Sequence, residues 1–141
     1  MSFGCGIGDI IQLTTITWRL YKSCKEASKD FVDLSKDIAS LHVVLSEIHD
    51  FLSEDPGIDT SRRNRLSVLC DACQGVLTDI EALYIKYDRL GTKAQRAWDQ
   101  ARFGLEDLQK LRVRVVSSVT LLSGWNTAVT KYDIPIALSP L

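Results

Sequence analysis

The sequence predicts an all-α protein: a single helical bundle of four long helices plus a short connecting helix. Three observations carry that reading. Apolar residues recur in steps of three and four over several long stretches. No stretch alternates apolar and polar residues for long enough to build a sheet. Only three prolines interrupt 141 residues. That length suffices for one substantial core and is short for two. The apolar share of 45% and charged share of 25% are those of a globular domain. Residues 1–130 are read as one bundle domain, and residues 131–141 as a C-terminal tail or linker.

The first helix is expected from Asp9, a suitable N-cap after Gly4, Gly6 and Gly8, to about Cys24. Projected at about 100° per residue, Ile10, Ile11, Leu13, Ile16, Trp18, Leu20, Tyr21 and Cys24 cover more than half of its circumference. Gln12, Thr15, Arg19, Lys22 and Ser23 form a narrow polar wedge. Such a helix is expected to be surrounded by protein or to meet lipid.

The second helix follows Ser28 as its cap. Phe31, Leu34, Ile38, Leu41, Leu45, Ile48 and Leu52 alternate in threes and fours, the seam of a helix packed along its whole length. Glu54-Asp55-Pro56-Gly57 ends it. Thr60 or Ser61 opens the third, where Leu66, Leu69, Cys73, Val76, Ile80, Leu83 and Tyr87 repeat the pattern. Cys70, Leu77 and Tyr84 widen that stripe, and Gly91 suits a terminator.

The short connecting helix is placed at Thr92–Arg102, with Trp98 and Phe103 as core anchors. A last long helix starts near Gly104, with Glu106 and Asp107 at the positive end of its dipole. Its buried face is Leu108, Leu111, Val115, Val119, Leu122, Trp125 and Val129. Val113, Val115, Val116 and Val119 favour strand individually, but the 3.6-residue spacing of the long frame decides for helix. Pro135 and Pro140 end regular structure.

The net charge of −1 gives no electrostatic case for nucleic-acid binding. Its distribution is uneven: residues 1–60 hold ten acids and five bases, residues 61–141 eight acids and twelve bases. Arg62, Arg63 and Arg65, like Lys93, Arg96 and Arg102, suit an acidic partner or anionic lipid, and equally suit ion pairs with Asp99, Glu106 and the acidic N-terminal half. The apolar start lacks a basic leader and a small-residue cleavage site, so no secretory signal is read. Ser2 excludes N-myristoylation, and Cys5 is open to acylation only if the leader reaches a membrane. Four cysteines without an export signal are expected to be reduced thiols in a cytoplasmic protein.

No sequence feature requires an enzyme. Cys70-Asp71-Ala72-Cys73 has CxxC spacing, but it falls inside a helix on the apolar side, not at the helix start where a dipole lowers a thiol pKa. His42 and His49 on the preceding helix are the only histidines that could complete a zinc site across facing helices. Ordinary half-buried cysteines and histidines are the preferred explanation for all four. There is no nucleophile elbow and no phosphate-binding glycine loop. No cofactor and no metal are expected.

The feature with functional content is the amino-terminal segment. Asp9 is the only charge between Met1 and Trp18, and Arg19, Lys22, Lys25 and Lys29 follow at once. Two readings stand: a segment that can engage membrane, or a central core helix. On the first, the membrane-interaction candidates are Phe3, Ile7, Ile10, Ile11, Leu13, Ile16, Trp18, Arg19, Lys22 and Lys25. A helix from Asp9 to Cys24 would be about 24 Å long, short of the roughly 30 Å hydrocarbon core. Spanning would bury Asp9 at about 2.5–3.5 kcal/mol. The basic residues would gain about 1 kcal/mol each at an anionic surface. Interfacial insertion is thus favoured over a monomeric span.

Several motifs carry a family resemblance. Met1-Ser2-Phe3-Gly4 followed by Gly8-Asp9 resembles the opening of fungal HeLo-like amino-terminal domains. So do Ser40-Leu41-x-x-Val44-Leu45, Cys73-x-x-Val76-Leu77-x-Asp79-Ile80-Glu81 and Lys86-Tyr87. The block Trp98-Asp99-x-x-Arg102-Phe103-Gly104-x-Glu106-Asp107-Leu108, with Leu111-Arg112, is the most specific. The likeness runs from Met1 to about Gly124.

It implies an α-helical domain from the front of fungal NACHT and ankyrin-repeat signalling receptors, related to HeLo cell-death effectors. In those, the amino-terminal segment targets and permeabilises membranes after oligomerisation. The corresponding segment here is Met1 to about Tyr21. The partners implied are further copies, other helical signalling domains and anionic membrane lipids, with relocation from cytoplasm to plasma membrane on activation. The alternative is a helical interaction scaffold without membrane activity.

Overall fold

Four helices account for almost all of residues 6–55, 57–89 and 105–132, the residues that the computed structural model describes, and no strand occurs among them. They are α1 (Ile7–Lys25), α2 (Lys29–Glu54), α3 (Thr60–Asp88) and α4 (Leu105–Tyr132). The expected short helix at Thr92–Arg102, its anchors Trp98 and Phe103, and Gly91 lie outside the described residues, as do Phe3 and Cys5. α4 runs past the expected boundary at residue 130, through Tyr132.

Local chemistry sets the helix ends. α1 begins three residues earlier than an Asp9 cap would place it. Gly6 is its N-cap, and Asp9 occupies the third helical position, where Oδ2 accepts the Gly6 N–H at 3.1 Å. This is the carboxylate half of a capping box, so Asp9 supports the helix start from inside the first turn. Lys22 and Lys25 sit in the last turn, against the negative end of the dipole.

Ser28 holds the N-cap position of α2, as its placement suggests, but its buried hydroxyl makes no hydrogen bond. Thr60 opens α3, the earlier of the two expected starts, and Asp59 before it is the cap. Its carboxylate accepts the Arg62 N–H at 2.7 Å.

The helices pack as the corners of a square. α1 lies against α2 and α3, and α4 lies against the same two, so α1 and α4 occupy opposite corners. The core is one cluster to which all four contribute, and the entire expected seam of α2 is buried in it. At one end Phe31 of α2 meets Tyr84 and Tyr87 of α3, with ring centroids 6.0 and 4.9 Å apart. At the other, Phe51 of α2 packs edge-on against Trp125 of α4 at 6.3 Å. Aromatic pairs of this geometry add directional preference to area burial.

Polar contacts tie each of the four seams. Arg112 of α4 donates to Asp37 of α2 at 2.8 Å, and Arg114 to Asp79 of α3 at 2.6 Å. Arg19 of α1 pairs with Glu81 of α3. The Trp125 indole N–H donates to the Arg62 carbonyl at 2.9 Å. His42 of α2 reaches Thr17 of α1 at 3.1 Å. The exposed pairs contribute about 0–1 kcal/mol each, so their main effect is on register, while stability rests on the apolar core.

Two α2 positions, two residues apart, show how far stability rests on that core. Leu45 is fully buried and Val43 is 54% exposed. Leu45→Ala is expected to cost about 2–5 kcal/mol, and Val43→Ala to stay within about 0.5 kcal/mol, both read from urea midpoints.

Candidate functional site

The broad apolar arc of α1 is not fully covered. A corner helix has two neighbours, and here they bury Ile10, Leu13, Leu20 and Cys24 while Ile7, Ile16 and Tyr21 are partly buried against the core. Ile11 and Trp18 are left 47% exposed each. This corrects the expectation that α1 is surrounded: it is neither a central core helix nor fully sheathed. Thr17, with no place in the expected apolar arc, is fully buried.

The ten sequence candidates therefore divide. Ile10 and Leu13 face the core and cannot reach a surface while the fold is intact. Arg19 turns toward α3 and its pair Glu81. Ile11, Trp18, Lys22 and Lys25 are exposed and recur at helical spacing, so they share one outward stripe. Phe3 lies outside the described residues.

That stripe is organised by its aromatic rings. Trp18 stacks on Tyr21 with centroids 5.4 Å apart and planes inclined by 28°. The Lys22 Nζ sits 5.5 Å from the Trp18 ring centroid, and the Lys25 Nζ 5.6 Å from that of Tyr21. Each ammonium is thus held over a π face, an attraction of about 0.5–1 kcal/mol at an exposed site. The result runs from aliphatic Ile11 through aromatic Trp18 to cationic Lys22 and Lys25.

His42 of α2 supports the stripe from below. Its ring lies 5.3 Å from that of Trp18. The Thr17 hydroxyl donates to the Thr14 carbonyl at 2.9 Å, so its proton is committed. His42 Nδ1 must then be the donor, toward Thr17 Oγ1 at 3.1 Å and the Thr14 carbonyl at 3.2 Å. Thr14, Thr15, Trp18 and His42 outline an open depression of about 370 Å³. The hydroxyls of Thr14 and Thr15 both donate to the Ile11 carbonyl, at 2.7 and 2.9 Å. Their protons are satisfied within the helix, which lowers the desolvation cost of bringing this face against a less polar phase.

The thiol motif lies inside the fold. Cys70 and Cys73 are both buried within α3. His42 and His49 lie on α2, at the opposite corner of the square, and are engaged with α1 and with Asp50 respectively. No cluster of three or more His, Cys, Asp or Glu suited to a metal occurs among the described residues. Burial pushes the thiols of Cys24 and Cys73 up to about 12, far from the thiolate a nucleophile needs.

No helix among the described residues is long and apolar enough to cross a membrane. α1, at 19 residues, has nearly the length, but Asp9, Arg19, Lys22 and Lys25 interrupt it. No family model matches the chain, and neither a curated protein nor a solved structure does.

The buried thiols give a signed pH dependence. Folding raises their pKa from 9.0 to about 12, so the unfolded chain loses these protons first. Their stabilising contribution is complete below about pH 9 and declines as pH rises toward 12. Unfolding free energy is expected to fall across that interval, with a smaller slope in Cys24→Ala or Cys73→Ala. Urea titrations at successive pH values measure it.

Proposed function

We propose that this chain is a non-enzymatic signalling or effector bundle that docks on anionic membrane surfaces through the outward stripe of α1. The observation that carries this reading is the arrangement of Ile11, Trp18, Lys22 and Lys25 on one exposed face. An indole at the polar–apolar boundary, an aliphatic side chain beside it and ammonium groups level with lipid phosphates are what interfacial helices use. Lys22 and Lys25 can reach phosphates while their stems cover the rings.

The HeLo-like resemblance supports the same reading and extends it. On that basis the domain serves a fungal cell-death or innate-immunity receptor, and oligomerisation brings several α1 stripes to the plasma membrane from the cytoplasm. Docking, rather than spanning, suits the chain. The half-buried Asp9 stays in its capping role, and Ile10, Leu13 and Leu20 stay in the core. The alternative, an interaction scaffold indifferent to lipid, makes different predictions in the same assay.

Co-sedimentation with vesicles of phosphatidylserine and phosphatidylcholine is expected to show binding that weakens steeply with salt and is absent with phosphatidylcholine alone. Ile11→Glu and Trp18→Glu, both at exposed positions, should reduce binding at least about ten-fold with unchanged circular dichroism. Lys22→Gln and Lys25→Gln should each reduce it about five-fold, the equivalent of about 1 kcal/mol. Release of a trapped dye, prevented by the same variants, would mark an effector. Absence of binding, or binding indifferent to Ile11 and Trp18, would instead leave the scaffold.

A further inference from the structure

The open depression between α1 and α2, outlined by Thr14, Thr15, Trp18 and His42, has neither a carboxylate nor a cation among its described lining residues. What its polar atoms can still do follows from where their protons are. The hydroxyls of Thr14 and Thr15 both donate to the Ile11 carbonyl, at 2.7 and 2.9 Å. A hydroxyl whose proton is spent keeps its lone pairs, so toward a ligand each oxygen can only accept.

His42 is committed in the same sense. Its Nδ1 donates toward Thr17 Oγ1 and the Thr14 carbonyl, which leaves Nε2 of the neutral ring as an acceptor. Nε2 makes no hydrogen bond within the described residues. The buried side-chain atoms without a partner among those residues are Ser28 Oγ and Asn126 Oδ1, so Nε2 opens to solvent. Three acceptors thus stand around one depression. The uncommitted donor of the four side chains is the indole N–H of the exposed Trp18.

Cations stand one turn further along α1. The Lys22 Nζ lies 5.5 Å from the Trp18 ring centroid, and Lys22 follows Trp18 where Thr14 and Thr15 precede it. The order along the helix is acceptors, indole, ammonium. Such a face complements a zwitterion whose ammonium lies toward the threonines and whose anionic group lies toward Lys22.

We propose that the depression binds the primary ammonium of a phospholipid headgroup while Lys22 holds the phosphate of the same headgroup. Phosphatidylethanolamine and phosphatidylserine both carry these two groups, two carbons apart. The proposal rests on the docking reading of the α1 stripe and names its ligand. A primary ammonium has three N–H donors for the three acceptors. Choline has no N–H and leaves them unmatched. The hydroxyls of phosphatidylglycerol are neutral donors, and a charged donor makes the stronger hydrogen bond. With no carboxylate in the lining, an amine alone meets no counter-charge and is opposed by Lys22. A phosphate between the two ammonium groups removes that conflict, so the site reads the whole headgroup.

Co-sedimentation with three vesicle compositions of equal anionic fraction tests this. They are phosphatidylglycerol with phosphatidylcholine, phosphatidylglycerol with phosphatidylethanolamine, and phosphatidylserine with phosphatidylcholine. The second and third are expected to bind about five-fold more tightly than the first, the size of one net hydrogen bond. Thr15→Val, at an exposed position, and His42→Phe should each bring that advantage to about two-fold or less without weakening binding to the first. Lys22→Gln should weaken binding to all three. Circular dichroism accompanies each variant, and Thr15→Val carries the test if His42→Phe loosens the α1–α2 seam. A gain with phosphatidylethanolamine alone would support the proposal and make ethanolamine the source of the ammonium. Equal binding to all three would overturn it and leave docking standing. So would an advantage of phosphatidylserine alone, which would mean that its carboxylate is read, or an advantage untouched by Thr15→Val and His42→Phe. Binding to none of the vesicles would overturn docking and this proposal together.

Discussion

α1 has an apolar arc wider than two neighbouring helices can cover, and the rest of the surface chemistry follows from that mismatch. In a square of four helices each corner presents roughly half of its circumference to the interior. The arc of α1 exceeds that share, so some apolar side chains must face outward. Ile11 and Trp18 are the ones left. The indole is then partly shielded by what lies around it, with Tyr21 on one side, His42 beneath and the Lys22 ammonium above. The exposed stripe is a consequence of topology, not of a locally unusual sequence.

The same geometry explains the polar contacts. Arg19, Arg112 and Arg114 each reach a carboxylate on a neighbouring helix, and the His42–Thr17 contact ties the remaining seam. Apolar packing alone tolerates rotation and sliding of one helix on another. A guanidinium paired with one particular carboxylate distinguishes among those registers.

Much of the fold was legible in the sequence. The seven-residue seam of α2, the stripe of α3 and the inner face of α4 were read correctly because a helix packed along its length imposes a 3.6-residue period on every buried position. The starts of α2, α3 and α4 were legible too, and that of α1 was not. Asp59 and Asp9 are both acidic residues near an N-terminus, yet one caps and the other lies a turn inside. Which role an aspartate takes depends on backbone angles that composition does not reveal. The site was only partly legible. The candidate set mixed Ile10 and Leu13 with Ile11 and Trp18, since hydrophobicity is common to all four.

The sequence by itself determined the helical class, the length and inner face of three of the four helices, and the concentration of apolar and then basic residues at the amino terminus. Those follow from local rules: propensity, periodicity and the formal charge of side chains. Tertiary structure alone decided that α1 sits at a corner with two neighbours, that Thr17 is buried while Trp18 is not, that His42 belongs to the α1 seam rather than to a thiol site, and that Arg112 and Arg114 pair with Asp37 and Asp79. Each depends on which helices become neighbours, and helix adjacency is settled by the packing of the whole set rather than by any segment of it.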